Sequence, residues 1–222
     1  MAAVRCLTVS WCVLLFGIAS LAQDLTLDRI LAKNEEALGG AAAFRKVETL
    51  RVTTGAGTAD SAGNRRILSM KRPHFARLET AIGNMSLVSG RQGGTRWNFN
   101  PMQQPMLQTN ENPVAPGWFD SALASETRWL SGLQAAGASM KLLGKEEFQG
   151  APAYKVQATP KGESGTVYYI DAATFLVVRT LTRIGAGDRF VDIEEIPGDY
   201  GEVGGIRFAR SVPTIQKASD GG

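Results

Sequence analysis

The 222-residue chain is short of the residues that carry most enzyme and metal chemistry. It has one histidine, His74, and two cysteines, Cys6 and Cys12, both near the N-terminus. A single histidine beside a proline has no His or Cys partner at ligand spacing, which excludes a zinc-type site on ligand count. It is read as a polar surface residue rather than a base. Gly162-Glu163-Ser164-Gly165 lacks the second spacer of a nucleophile elbow and falls in a hairpin turn. Gly55-Ala56-Gly57 lies in a strand pattern with no helix behind it to hold a phosphate. Asp192, Glu194 and Glu195 read as a solvated strand face. No catalytic constellation emerges, so the chain is read as a non-enzyme without a cofactor.

Charge of one sign is also scarce, with 24 Lys and Arg against 21 Asp and Glu. The basic residues are scattered, which argues against a nucleic-acid partner. The one long apolar run lies at the start. Arg5 precedes Cys6 to Ala19, and Ser20-Leu21-Ala22 follow, which predicts a secretory signal peptide over residues 1–22 cleaved before Gln23. The run is short for a membrane span. Removing the leader takes away Arg5 and both thiols: 24 less 1 is 23 basic residues against 21 acidic, a mature charge of +2 with no disulfide. No cysteine follows the cleavage site to carry a lipid anchor. Residues 23–222 are expected to form one domain held by core burial alone.

Leu27, Ile30, Leu31, Ala37 and Leu38 recur at helical spacing and stop at Gly39-Gly40, predicting an amphipathic N-terminal helix. A short helix over Ala41 to Val47 is expected next. The period then changes to two. Strands are predicted near Thr49 to Thr58, Arg65 to Lys71, Phe75 to Thr80, Asn84 to Ser89 and Thr95 to Asn100. Pro101 to Gly117 carries no period and reads as a long loop. A helix is predicted from Phe119 to Ala136. Strands resume over Ser139 to Glu147, Ala153 to Thr159, Gly165 to Ile170, Phe175 to Ile184, Arg189 to Ile196 and Ile206 to Val212. The fold class is therefore mostly β (α+β), an antiparallel meander interrupted by one loop and one helix.

Three pieces of the first half carry a family resemblance: Lys71-Arg72-Pro73-His74-Phe75, Leu87-Val88-Ser89-Gly90 and Trp97-Asn98-Phe99-Asn100-Pro101. In order and spacing they resemble the periplasmic lipoprotein carrier proteins (LolA-like) and the wider lipoprotein-sorting superfamily. The turn after Ser89 lacks the family's Asp-Gly, and Phe175 stands where Gly is usual. The second half resembles the superfamily at Leu143-Gly144-Lys145-Glu146, Tyr168 to Asp171, Thr174 to Arg179 and Gly205 to Phe208. The resemblance implies an incomplete antiparallel β-barrel (half-barrel) with an N-terminal helix and a covering lid helix. It implies a periplasmic carrier of the acyl chains of a lipoprotein or lipid, working as a monomer between inner- and outer-membrane loading and accepting proteins. It places Arg72 as the latch that holds the lid, over Phe119 to Ala136, through backbone hydrogen bonds.

An acyl-chain cavity is expected around Met70, Met85, Leu87, Trp97, Phe99, Trp118, Leu123, Trp129 and Leu130, with Met102 and Met106 in the covering loop. Adaptable methionines and flat aromatics suit a chain that needs area more than directional contacts. Any one of them is equally an ordinary core filler. A non-carrier sensor or interaction domain on the same scaffold is the alternative reading, because fold does not determine function.

Overall fold

In the computed structural model, which describes residues 25–55, 65–101, 104–111, 113–114, 117–162, 164–186 and 189–219, two open antiparallel sheets share one layer of helices. The leader and Met102 lie outside the described residues. The first sheet runs in chain order: β1 (Thr49–Gly55), β2 (Arg65–Lys71), β3 (Phe75–Ile82), β4 (Met85–Gln92), β5 (Thr95–Asn100) and β6 (Gln104–Glu111). The second contains β7 (Ser139–Phe148), β8 (Ala151–Thr159), β9 (Thr166–Asp171), β10 (Val177–Ala186) and β11 (Arg189–Glu195). A hairpin of β12 (Gly198–Val203) and β13 (Ile206–Ser211) follows, and β14 (Thr214–Ala218) returns to pair with β11.

Tight turns set the register of the first sheet. Gly83-Asn84 and Gly93-Gly94 are two-residue hairpin loops, with Gly83 at φ +58° and Gly93 at φ +59°, a region that favours glycine. They place Leu78 opposite Ser89 and Gly90 opposite Trp97. The cis Arg72-Pro73 bond lies in the loop between β2 and β3, which puts Leu68 opposite Leu78. Residues directly opposite one another share a face. One face of the sheet therefore carries Leu50, Met70, Ala76 and Arg91 in one row and Val52, Leu68, Leu78 and Ser89 in the next.

The helices α1 (Leu27–Ala37), α2 (Ala41–Arg45), α3 (Trp118–Thr127) and α4 (Leu130–Ala135) cover these faces. Consecutive residues of α3 divide between the sheets, Leu123 packing with Leu68 and Met70, Ala124 with Tyr154 and Val156 of β8. The predicted helix over Phe119 to Ala136 is thus two helices. The break falls at Arg128, which takes a left-handed φ of 59° before Trp129 starts the next turn.

The layer is fixed by a buried side chain of α1. Asn34 is fully buried; its Nδ2 donates to the Phe175 carbonyl at 3.0 Å, and its Oδ1 accepts from the Leu130 amide at 3.1 Å. The next residue, Glu35, accepts from Trp129 Nε1 at 2.7 Å and from Ser131 Oγ at 2.6 Å. One turn of α1 therefore binds α4 and the β9–β10 turn together.

Three elements depart from the expected pattern. β6 occupies part of the predicted loop; its sequence does not alternate, and as an edge strand it tolerates Pro105. β14 is exposed throughout, so its five residues show no apolar period. β12 contains Gly198 and Gly201 and carries little strand signal.

Replacing Asn34 with Ala strips a partner from the Leu130 amide and the Phe175 carbonyl at once. The expected loss is about 2–4 kcal/mol, read as a lower urea midpoint at unchanged slope. An unchanged midpoint would show that the amide bridge contributes nothing.

Candidate functional site

The face of the first sheet that meets α3 changes character across the strands. Leu50, Met70 and Ala76 lie in register with Arg91, Arg96 and Asn110; Val52, Leu68 and Leu78 lie in register with Ser89 and Asn98. The β1–β3 side is apolar and packs under α3 with Phe119 and Leu123. In these two rows the β4–β6 side is polar, whereas in the next row the order reverses, Thr54, Arg66 and Thr80 standing in register with Leu87. Two adjoining clefts, of about 560 and 420 Å³, lie where the two halves meet and share Leu78, Ser89 and Asn98. Together they make a groove of mixed lining, apolar at Ala76, Leu78, Leu87 and Trp118 and polar at Thr80, Ser89, Arg91 and Asn98.

The expected cavity residues scatter around this groove. Leu87 and Trp118 line it. Met85 shares their face of the sheet but is 41% exposed at the strand end. Met70 and Leu123 are core beneath α3, and Leu130 is core on the side of the second sheet. Trp129 stacks on Phe44, ring centroids 4.2 Å apart, and borders a separate cleft of about 670 Å³ beside α3 and α4. Met106 lies on β6.

Trp97 and Phe99 take the opposite face of the sheet. Their register partners are Gly90 and Val88, not Arg91 and Ser89. Both still border the clefts, and the indole lies over Gly90. A Cβ at Gly90 would come within 2.4 Å of that ring. The two aromatics therefore do not join Met70 and Leu87. The reading from residue type missed Ala76, Leu78, Ser89, Arg91 and Asn98, which the hairpin turns place on the groove face.

Charged contacts tie α3 down on both sides. Arg72 donates through Nε to the Val47 carbonyl at 2.7 Å and through both Nη atoms to the two carboxylate oxygens of Asp120. Its guanidinium also lies over the Phe119 ring, 4.4 Å from the centroid. Arg72 thus reaches α3 by a carboxylate and a ring, while the carbonyl it binds precedes β1. Arg66 pairs with Glu126 at 3.0 Å, and Arg128 with Glu195 of β11 at 2.9 Å. The Asp120 side chain is 44% exposed, so solvent screens its pair and about 1 kcal/mol is a fair ceiling.

Tyr168 lies next to the α3 C-terminus on the inner face of the second sheet. Burial pushes its hydroxyl up to about 12, against the opposing pull of Arg128. Among the described residues, no group of three or more His, Cys, Asp or Glu converges as metal ligands would.

Neither a protein-family model nor a curated protein matches the sequence. Solved structures do. A LolA superfamily protein from Nitrosomonas europaea matches with a TM-score of 0.53 at 14% identity, covering 89% of each chain. A DUF1329 family protein from Desulfovibrio piger gives 0.47 at 12% identity over 85% of each chain. Lipoprotein LppX of Mycobacterium tuberculosis gives 0.33 at 14%, covering 72% of this chain and 90% of its own. At such identities likeness establishes fold, and the first of these carries it: this chain has the open LolA-like β-fold with helices.

Two outcomes follow from the contacts of α3. In a double-mutant cycle of Arg72→Gln and Asp120→Asn, urea melts should give a coupling of about 0.5–1 kcal/mol that shrinks in high salt. Lys71→Gln, one residue away on the opposite face, should show none. The second outcome concerns alkali. The folded Tyr168 holds its proton up to about 12, whereas an unfolded tyrosine loses it near 10. The stability this contributes is complete below about pH 10 and is lost as pH rises from there towards 12. Tyr168→Phe should flatten the decline, and parallel pH–stability curves would dismiss the group.

Proposed function

We propose that the protein is a periplasmic carrier of acylated amphiphiles, binding the chains of a lipoprotein or lipid beneath and beside a small lid helix for transfer towards the outer membrane. The single observation that carries this is the groove on the first sheet, where two rows of its face pass from leucine, methionine and alanine to serine, asparagine and arginine within four strands. An apolar wall beside a polar one fits a molecule with a chain at one end and a head at the other. The LolA-like fold supports the cargo class by analogy. In this reading residues 1–22 direct export, residues 23–222 form one domain acting as a monomer, and membrane proteins load and accept the cargo.

The need for shielding is physical. Each CH₂ exposed to water costs ~0.8 kcal/mol, so an unshielded multiply acylated anchor does not leave a membrane at a useful rate. Lifting α3 would enlarge the groove by uncovering Met70 and Leu68, which it now buries. Arg72 acts here as the latch, since its two Nη atoms hold the first turn of α3 through Asp120. A half-exposed ion pair suits that task because the closed form need lead the open one by only a few kcal/mol.

Native mass spectrometry of the exported protein should show bound acylated species. Leu78→Asp and Leu87→Asp place a charge on the groove face and should weaken binding of a fluorescent fatty acid by about tenfold or more. Trp97→Asp, on the opposite face, should leave it near wild type. A clean apo mass with no fatty-acid binding would sink the carrier reading in favour of a sensor or interaction domain.

A further inference from the structure

The polar half of the groove is not evenly polar. Arg91 of β4 and Arg96 of β5 face one another directly across the ladder on the groove side. Opposed residues of this kind hold their Cβ atoms about 4.5–5.5 Å apart, and like charges so placed repel. Arg91 is 5% exposed; its Nη1 donates to the Gly93 carbonyl at 3.3 Å, and its guanidinium faces the Trp118 ring at 5.7 Å. Arg96 is exposed at the other side of the cleft. No carboxylate is among the described residues lining this cleft. The acidic residues of the neighbouring strands, Glu79 and Glu111, fall on the other face by register, where Glu79 pairs with Arg77 and Glu111 accepts from Thr95.

We infer that the Arg91–Arg96 pair is a site for the anionic group of the bound amphiphile, a phosphate or carboxylate at the head end of the chain. This rests on the carrier reading and deepens it, because it gives the cargo a charge. Two guanidinium-bearing residues brought to one cleft by the register would attract an anion that sits between them. The fork of an Arg matches a phosphate or carboxylate in two hydrogen bonds. Asn98 and Ser89 on the same face supply further neutral polar groups, and Leu78 and Leu87 continue the groove in the direction the chain would take.

A matched pair of probes tests it. 1-Oleoyl lysophosphatidic acid and 1-oleoylglycerol share one chain and differ by a phosphate, and both are used below their aggregation thresholds in calorimetric titration of the exported protein. One charge-assisted contact is worth roughly 1.5–3 kcal/mol, so the phosphate form should bind roughly tenfold tighter or better. Arg96→Gln, an exposed substitution with little risk to folding, should remove that preference by weakening the phosphate form more than 1-oleoylglycerol. Arg96→Lys should keep part of it, and Arg77→Gln on the opposite face should keep all of it. Sodium phosphate alone should bind far more weakly than the lipid. Equal affinity for the two probes, or a preference indifferent to Arg96→Gln, would overturn the inference and leave the carrier reading standing. Phosphate binding as tight as the lipid would overturn it too, by marking a free-anion site. Failure of both lipids to bind would instead strike at the carrier reading itself.

Discussion

The structure depends on one short helix satisfying two sheets. α3 has ten residues, and its Leu123 and Ala124 turn to opposite sides, so neither sheet can shed the helix without exposing core that the other also uses. Apolar burial alone would make such a helix a permanent part of the core, at about 1.5–3 kcal/mol for each large side chain removed from water. α3 buries only Phe119 and Leu123 as large apolar side chains, and polar contacts supply the rest of its hold. Arg72, Arg66 and Arg128 pair across to or from it at both ends. A helix held this way should respond to salt.

The buried amide of Asn34 and the carboxylate of Glu35 hold the neighbouring helix α4. They anchor the backbone start of α4, Trp129 and Ser131 to α1, so the break at Arg128 divides a fixed segment from a less fixed one. Stability in such a molecule is uneven, lowest where buried apolar contacts are fewest. At the α3 N-terminus Phe119 is buried in the core, Trp118 is only partly buried and Asp120 is partly exposed, and two guanidiniums add to the hold, Arg72 beside Phe119 and Arg91 beside Trp118.

Much of this was legible in residue order. The period-two runs gave most strands of both sheets, and Gly39-Gly40 marked the end of the first helix. Lys71 to Pro101 pointed to the fold that the likeness to the Nitrosomonas europaea protein bears out. The groove was less legible, because composition identifies candidates while register decides their face. Trp97 and Phe99 are the most conspicuous apolar pair in the first sheet, yet they lie opposite Gly90 and Val88 on its other side. The signal was present in the turns. If Gly83-Asn84 and Gly93-Gly94 are two-residue loops, counting outward puts Leu78 opposite Ser89 and Trp97 opposite Gly90 without any structure. β6 and β14 gave no such signal, since edge strands with exposed side chains need no apolar alternation.

If the groove carries an acyl chain as proposed, its mixed polarity would bear on release as much as on capture. A cavity lined wholly by Leu and Phe would shelter an acyl chain about as well as a bilayer does, and the chain would have little reason to leave it. Differences in affinity within one class of complex lie mostly in the off-rate. Under the proposal, a methylene against Ser89 or Asn98 would lose part of the ~0.8 kcal/mol that a lipid environment would give it, so a chain would be held better than in water and less well than in a membrane. Contact with Leu78 and Leu87 would then retain the chain, and contact with Ser89 and Asn98 would keep an acceptor membrane thermodynamically downhill. If the side chains of the sheet set that ordering, α3 would have only to govern the rate.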